Sequence, residues 1–197
     1  MYVISPDRDP DSIAALAEAV LRGGAGALQL RHKSLARGEL LSLAKRLRIL
    51  TRAEGAAFIV NDHVDIAMLS EADGVHLGPD DMSVASARRV GGADMIIGAS
   101  ASTPSAARDA VESGADYIGS GPAFDTPLKP QKVVIGPRGV ADVVASVDVP
   151  VFAIGGIDET NLEQLTRLGV RRVCVIRAVG DAADPETVTR RMRAMLL

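Results

Sequence analysis

Short apolar runs rich in β-branched residues alternate with longer stretches of helical period along the whole chain. The runs are "MYVIS" (1–5), "ALQLR" (27–31), "AFIVN" (57–61), "GVHLG" (74–78), "MIIGAS" (95–100), "YIGSGP" (117–122), "VPVFAIGG" (149–156) and "RRVCVIRAV" (171–179). Between them lie helical patterns such as "DSIAALAEAVLRGG", with an Asp cap and closing glycines, and "TPSAARDAVESGA", which opens on Thr-Pro and closes at Gly114. The rhythm predicts repeated βα units around a parallel sheet. Eight of them, without a linker, a low-complexity tract or a break in composition, predict an α/β fold: a (β/α)8 TIM barrel that forms a single domain over residues 1–197. An open doubly wound sheet shares the rhythm, but it asks for a Gly-x-Gly-x-x-Gly turn after the first strand, and "ISPDRD" is not one.

Composition narrows the function classes. A chain of 197 residues with 47% hydrophobic content can bury a core of its own. A net charge of −3, no Trp and 3% aromatic residues leave neither a basic field nor stacking platforms for nucleic acid. The one cysteine, Cys174, cannot close an internal disulfide, and it reads as a small buried hydrophobe in a reducing compartment. "MYVISPDRDP" breaks too early for a signal peptide, and no run reaches the roughly 20 apolar residues of a membrane span. The expectation is a cytoplasmic protein without a nucleic-acid or membrane partner; a homo-oligomer is compatible with the sequence.

In such a barrel, chemistry sits at the carboxyl ends of the strands and in the loops that follow. There the chain places Arg31, Asn61, Asp62, Asp81, Ser100, Thr126, Lys129, Gly155, Gly156 and Arg177. Strand alternation sets Gln29 and Arg31 on the face opposite Leu28 and Leu30, with Lys33 following in the loop. An amide and two cations at a barrel mouth suit an anionic ligand, phosphate above all, and equally a solvated rim of ion pairs. Asp62 and Asp81 end adjacent strands across from those cations, an arrangement that suits Mg2+ shared with a phosphate ligand, while Asp65 and Asp80 read as helix caps. "AIGGI" after the seventh strand stands where these barrels hold a second phosphate. The stretch from Gly121 to Gly139 lacks helical period and reads as a lid or binding loop carrying Thr126, Lys129 and Lys132. His76 reads as a satisfied structural histidine, His32 and His63 lack zinc spacing, and Met68, Met82 and Met95 read as core filling.

Taken in order, "QLRHK", "ND", "HLGPDD", "IGAS", "GPAFDTPLK" and "AIGGI" resemble the motif series of the thiamine phosphate synthase family, over almost the whole chain. The resemblance implies a transferase that joins hydroxymethylpyrimidine pyrophosphate to thiazole phosphate, pyrophosphate leaving first. It implies that Gln29, Arg31, Lys33, Asn61, Ser100 and Lys129 hold the pyrimidine pyrophosphate, with Arg31, Lys33, Ser100 and Lys129 acting in catalysis. It further implies Mg2+ on Asp62 and Asp81, and Thr126, Gly156, Ile176 and Arg177 on the thiazole phosphate. Two positions depart from the family pattern: Leu128 replaces a second hydroxyl residue and Arg177 replaces a common serine. The related thiazole tautomerase branch uses a histidine where this chain has Pro122 and tends to lose the paired carboxylates that this chain keeps. A regulator that binds phosphorylated ligand on the same barrel is the third reading, from a different class.

Overall fold

A computed structural model describes residues 1–126 and 133–197. The strands are β1 (Tyr2–Ile4), β2 (Ala27–Leu30), β3 (Ala57–Asn61), β4 (Gly74–Leu77), β5 (Ile96–Ser100), β6 (Tyr117–Ser120), β7 (Val151–Ile154) and β8 (Val173–Val175). They close in sequence order into a parallel barrel, β8 returning to β1. The (β/α)8 architecture is therefore the one the alternation predicts, and the open sheet is excluded.

The period-two pattern divides the strands between an outer layer under the helices, where Ala99, Ile118 and Val151 form a small cluster of their own, and the barrel interior. Outward residues such as Val3, Leu28, Leu30, Phe58, Val60, Val75 and Ile97 pack under the helices in one continuous cluster. Inward residues Tyr2, Ile4, Ile59, Tyr117 and Cys174 form a separate, smaller cluster inside the barrel, with Phe152, Ile154 and Ile176 packed against it. Each helix lays its apolar stripe on the outer layer. Helix α1 (Pro10–Arg22) buries Ile13, Leu16, Ala17 and Val20, and α2 (Arg37–Ala53) buries Leu40, Leu43, Ala44 and Leu47, the i, i+3, i+4, i+7 spacing of an amphipathic helix.

At the amino-terminal end of the barrel the same bracket occurs twice. Asp73, just before β4, accepts both guanidinium arms of Arg48 at 2.7 and 2.8 Å and the Phe58 N–H at 2.7 Å. Asp116, just before β6, accepts from Arg88 at 2.6 Å and from the Ile97 N–H at 2.7 Å. Each carboxylate ties a helix to the start of a strand it does not precede. Asp73→Ala would leave Arg48 and the Phe58 amide without their acceptor, and it should lower unfolding stability by about 2–3 kcal/mol, read as a shifted urea midpoint at unchanged slope.

Several local expectations need correction. The eighth run is shorter than its β-branched pattern suggests, because Ile176 leaves extended geometry (φ −121°, ψ −76°) and Arg177 opens the short helix α8 (Arg177–Gly180). The cap of α1 is Asp9, which accepts from the Ser12 N–H, and Asp11 lies in the first turn. Asp65 does not cap either; it stands in the first turn of α3 (Val64–Leu69) and pairs with Arg37, whose guanidinium holds its carboxyl below the usual range. Asp80 lies in the turn ahead of α4 (Val84–Gly91), whose cap is Ser83. Met95 is buried, but Met68 and Met82 are exposed on helix and loop edges and fill no core. Gly121 to Gly139 is not wholly aperiodic, since α6 (Gly136–Val144) begins within it. Lys129, Leu128 and Lys132 lie outside the described residues. No helix among the described residues is long and apolar enough to cross a membrane.

Candidate active site at the carboxyl end of the barrel

The loop after β2 is fixed through its backbone. The Ser5 hydroxyl donates to the Arg31 carbonyl at 3.1 Å and accepts the Arg31 N–H at 2.9 Å, so the residue after β1 clamps the residue after β2 at both backbone polar groups. Asp7 accepts the Lys33 N–H at 3.1 Å and faces the Arg31 guanidinium at 3.4 Å. His32 meets the Arg8 carbonyl through Nε2 at 2.9 Å and accepts the Ser34 and Leu35 amides at Nδ1, so its role there is to shape the loop. The carboxylate that meets Arg31 thus comes from the loop between β1 and α1. The contact is long and partly exposed, which leaves the guanidinium available to a better acceptor.

Asp62 follows β3 in the left-handed region (φ 64°), where aspartate is tolerated better than most residues. Its N–H donates to the His76 carbonyl at 2.9 Å. That turn brings its carboxyl against Asp81, which is itself anchored by the Gly78 N–H at 2.8 Å. Burial pushes the Asp62 carboxyl up to about 6, with the hydrogen bond to Asp81 and its charge adding to the shift; Lys33 and Arg31 act in the opposite sense. The two carboxyls expected to converge do so, and both cations of the β2 loop lie within electrostatic reach. Among the described residues no group of three or more His, Cys, Asp or Glu side chains gathers that could hold a metal. Two hard carboxylates set side by side fit a Mg2+ whose remaining ligands are phosphate oxygens and water.

Gln29, Asn61 and Ser100 occupy inward positions. Asn61 lies beside His76 in the β3–β4 register, and Ser100 beside Gly119 in β5–β6. Gln29 is buried and donates through Nε2 to the Tyr2 hydroxyl at 2.6 Å. The Ser100 hydroxyl meets His76 Nε2 at 3.0 Å. Residue patterns do not single out Tyr2 or Tyr117, and they assign His76 only a structural role. The available signal is its inward register, shared with Asn61 and Gly98.

On the opposite side, Gly155 (φ 98°) and Gly156 (φ 64°) carry the chain out of β7 in conformations and spaces open only to glycine. A Cβ on Gly156 would lie 2.3 Å from the Asp125 carbonyl, and one on Gly155 would lie 2.7 Å from Pro122, so the two loops interlock next to Thr126. Ile176 packs against the barrel-interior cluster. Arg177 turns its Nε toward Asp181 at 2.9 Å, and the other oxygen of that carboxylate holds Arg8 at 2.9 Å. Two arginines on one exposed carboxylate leave a local excess of positive charge. The structure therefore gathers Arg31, Lys33, Asp62 and Asp81 on one side of the mouth, and Gly156, Thr126, Ile176 and Arg177 on the β6 to β8 side. Gln29, Asn61 and Ser100 stand at inward positions at the strand ends.

A parallel (β/α)8 barrel with cations and paired carboxyls at its carboxyl end defines a class of barrel proteins that handle phosphorylated small molecules. Residues 1–179 match the family model described as thiamine monophosphate synthase, and the chain belongs to that family. It is 43% identical over 196 residues to the thiamine-phosphate synthase of Chlorobium limicola, covering 99% of this chain and 92% of that protein. It is 41% identical over 182 residues to the thiamine-phosphate synthase of Thermosynechococcus vestitus, covering 92% of this chain but 52% of that longer protein. The solved structure of thiamine phosphate pyrophosphorylase from Pyrococcus furiosus superposes with a TM-score of 0.89 at 38% identity, over 99% of this chain and 94% of that one.

Proposed function

We propose that the protein is a thiamine phosphate synthase. It joins hydroxymethylpyrimidine pyrophosphate to thiazole phosphate and releases pyrophosphate. The observation that carries the reading is the pair Asp62 and Asp81 flanked by Arg31 and Lys33, which suits a polyanionic leaving group. In the reaction the bond between the pyrimidine methylene carbon and the pyrophosphate oxygen breaks with its electron pair going to oxygen. The thiazole nitrogen then donates its lone pair to the methylene carbon. Negative charge therefore grows on the departing pyrophosphate, and the cationic side chains of Arg31 and Lys33, carried on a backbone that Ser5 and Asp7 hold in place, stabilise it. Asp62 and Asp81 would hold Mg2+, which supplies further neutralisation of that charge when bound. Gln29, Asn61 and Ser100 orient the pyrimidine, Lys129 adds a cation, and Thr126, Gly156, Ile176 and Arg177 hold the thiazole phosphate. No protein nucleophile or proton shuttle is required, and Pro122 offers none at the position where a tautomerase needs one.

The test is pyrophosphate release from the two substrates with Mg2+, matched against thiamine phosphate formed. Stoichiometric release that EDTA abolishes supports the synthase. Folded protein that binds both substrates without turnover favours the regulator.

Metal affinity should also depend on pH in a defined sense. The cation must displace the proton held by Asp62, so apparent Mg2+ affinity should be flat well above pH 6 and fall about tenfold per unit below it. Calorimetric titrations at several pH values, in buffers of different ionisation enthalpy, would show proton release near and below that pH and little above it.

A further inference from the structure

A hydrogen-bonded chain crosses the inside of the barrel. The Gln29 amide meets the Tyr2 hydroxyl at 2.6 Å, Tyr2 meets the Tyr117 hydroxyl at 3.0 Å, Tyr117 meets His76 Nδ1 at 3.0 Å, and His76 Nε2 meets the Ser100 hydroxyl at 3.0 Å. The members come from β2, β1, β6, β4 and β5, so no local pattern creates it. The space it occupies is cleared for it. A Cβ on Gly98 would stand 2.0 Å from the Tyr117 ring, and one on Gly119 would stand 3.1 Å from the His76 ring. Phe152 closes the floor, its ring centroid 5.4 Å from that of Tyr2 and 5.6 Å from that of Tyr117.

Direction follows from counting protons. Gln29 donates to Tyr2, so the Tyr2 oxygen is an acceptor there, and the hydroxyl's own proton has Tyr117 as its acceptor among the described residues. Tyr117, having accepted, passes its proton toward His76 Nδ1. Burial pushes both tyrosines well above their usual range, so both remain neutral donors. A histidine that accepts at Nδ1 carries its proton at Nε2 and donates it to Ser100. The serine oxygen is then occupied as an acceptor, and its proton is left to point elsewhere.

We infer that Tyr2, Tyr117 and His76 are positioning residues that lock His76 in the Nε2–H tautomer and thereby commit the Ser100 hydroxyl to donate into the barrel mouth. The ligand group that meets Ser100 is accordingly a lone-pair acceptor, such as an unprotonated ring nitrogen. This assignment of a ligand group rests on the proposed synthase reading; the tautomer itself does not.

The experiment has one arm for each. 15N NMR of the histidine side chains in the ligand-free protein should show His76 as the Nε2–H tautomer, and as a mixture of tautomers in Tyr117→Phe and Tyr2→Phe. In steady-state assays each Phe variant should lose about tenfold in kcat/KM for the pyrimidine substrate, the worth of one ordered hydrogen bond, and the double variant should lose no more than either alone. Ser100→Ala should show the same loss and be insensitive to a second Tyr117→Phe change. An Nδ1–H tautomer or an imidazolium in the wild-type protein overturns the relay, as does a wild-type tautomer in both Phe variants or additive kinetic losses. Absence of any turnover in wild-type protein that shows the expected tautomer overturns the synthase reading and the ligand assignment while the relay stands.

Discussion

Asp62→Asn should lower turnover by about 10^3-fold while raising the thermal stability of the metal-free protein at pH 7.5. The loss follows from the metal-binding role proposed for Asp62: several kcal/mol of charge stabilisation on the leaving group, at about 1.4 kcal/mol per tenfold, corresponds to some three decades. The gain follows from linkage. The Asp62 carboxyl titrates at about 6 in the folded protein against 3.8 for the ordinary group, raised first by burial and then by Asp81. Between those values the folded state binds more protons than the unfolded state, so stability falls as pH rises through the window. The full penalty is present above pH 6. Asparagine removes the charge, can donate to the Asp81 carboxylate, and is at ease at φ 64°, so no new strain offsets the gain. At pH 5, inside that window, the advantage should fall to about half, and it should vanish only below about pH 4, where the unfolded chain also holds the proton. Thermal melts of both proteins at pH 5 and 7.5, with EDTA, give the answer. A lower melting temperature for the variant at both pH values would mean that the Asp62–Asp81 contact is a structural tie and not a strained metal pair.

The features legible in the chain are those encoded by neighbours in sequence. Period-two alternation in "ALQL" separates Leu28 and Leu30 from Gln29, and the structure puts the leucines under the helices and the glutamine inside the barrel. Once strand order follows chain order, Asp62 after β3 and Asp81 after β4 must come close, which is why that pair could be read without coordinates. The relay could not. Its contacts join residues separated by 27, 115, 41 and 24 positions, and they depend on ring sizes and on the bareness of Gly98 and Gly119, none of which periodicity encodes. His76 is the satisfied histidine its place in a strand suggests, bonded at both ring nitrogens, but a lone histidine in a strand says nothing about which side chains satisfy it across a barrel. The end of β8 escaped for a different reason: "VCVIRAV" keeps its strand-like composition past Val175, and only the backbone turn at Ile176 shows that Arg177 belongs to a helix. Met68 and Met82 show the converse limit, since an apolar residue near the end of a helix or in a loop need not find a core.

Arg31→Ala should lower kcat by roughly 10^2- to 10^3-fold with a much smaller rise in KM for the pyrimidine pyrophosphate. The asymmetry is the signature of a group whose attraction grows with the charge on the leaving oxygens, and the size is that of removing one preorganised donor at a site of developing charge. Arg31→Lys should recover part of the loss and stay about tenfold below wild type, because an ammonium keeps the charge but not the planar fork that fits two phosphate oxygens. The competing account makes Arg31 a rim residue paired with Asp7, and it predicts something else. The pair is 3.4 Å long, with the Asp7 side chain 43% exposed, and such contacts contribute about 0–1 kcal/mol. On that account Arg31→Ala and Asp7→Ala should have the same small effects on stability and turnover. If the first loses two decades in kcat and the second stays within about threefold, the guanidinium acts on the ligand and Asp7 only aims it. The Arg31 backbone is clamped by Ser5, so the alanine variant should keep the loop in place, and its kcat deficit would then belong to the missing side chain.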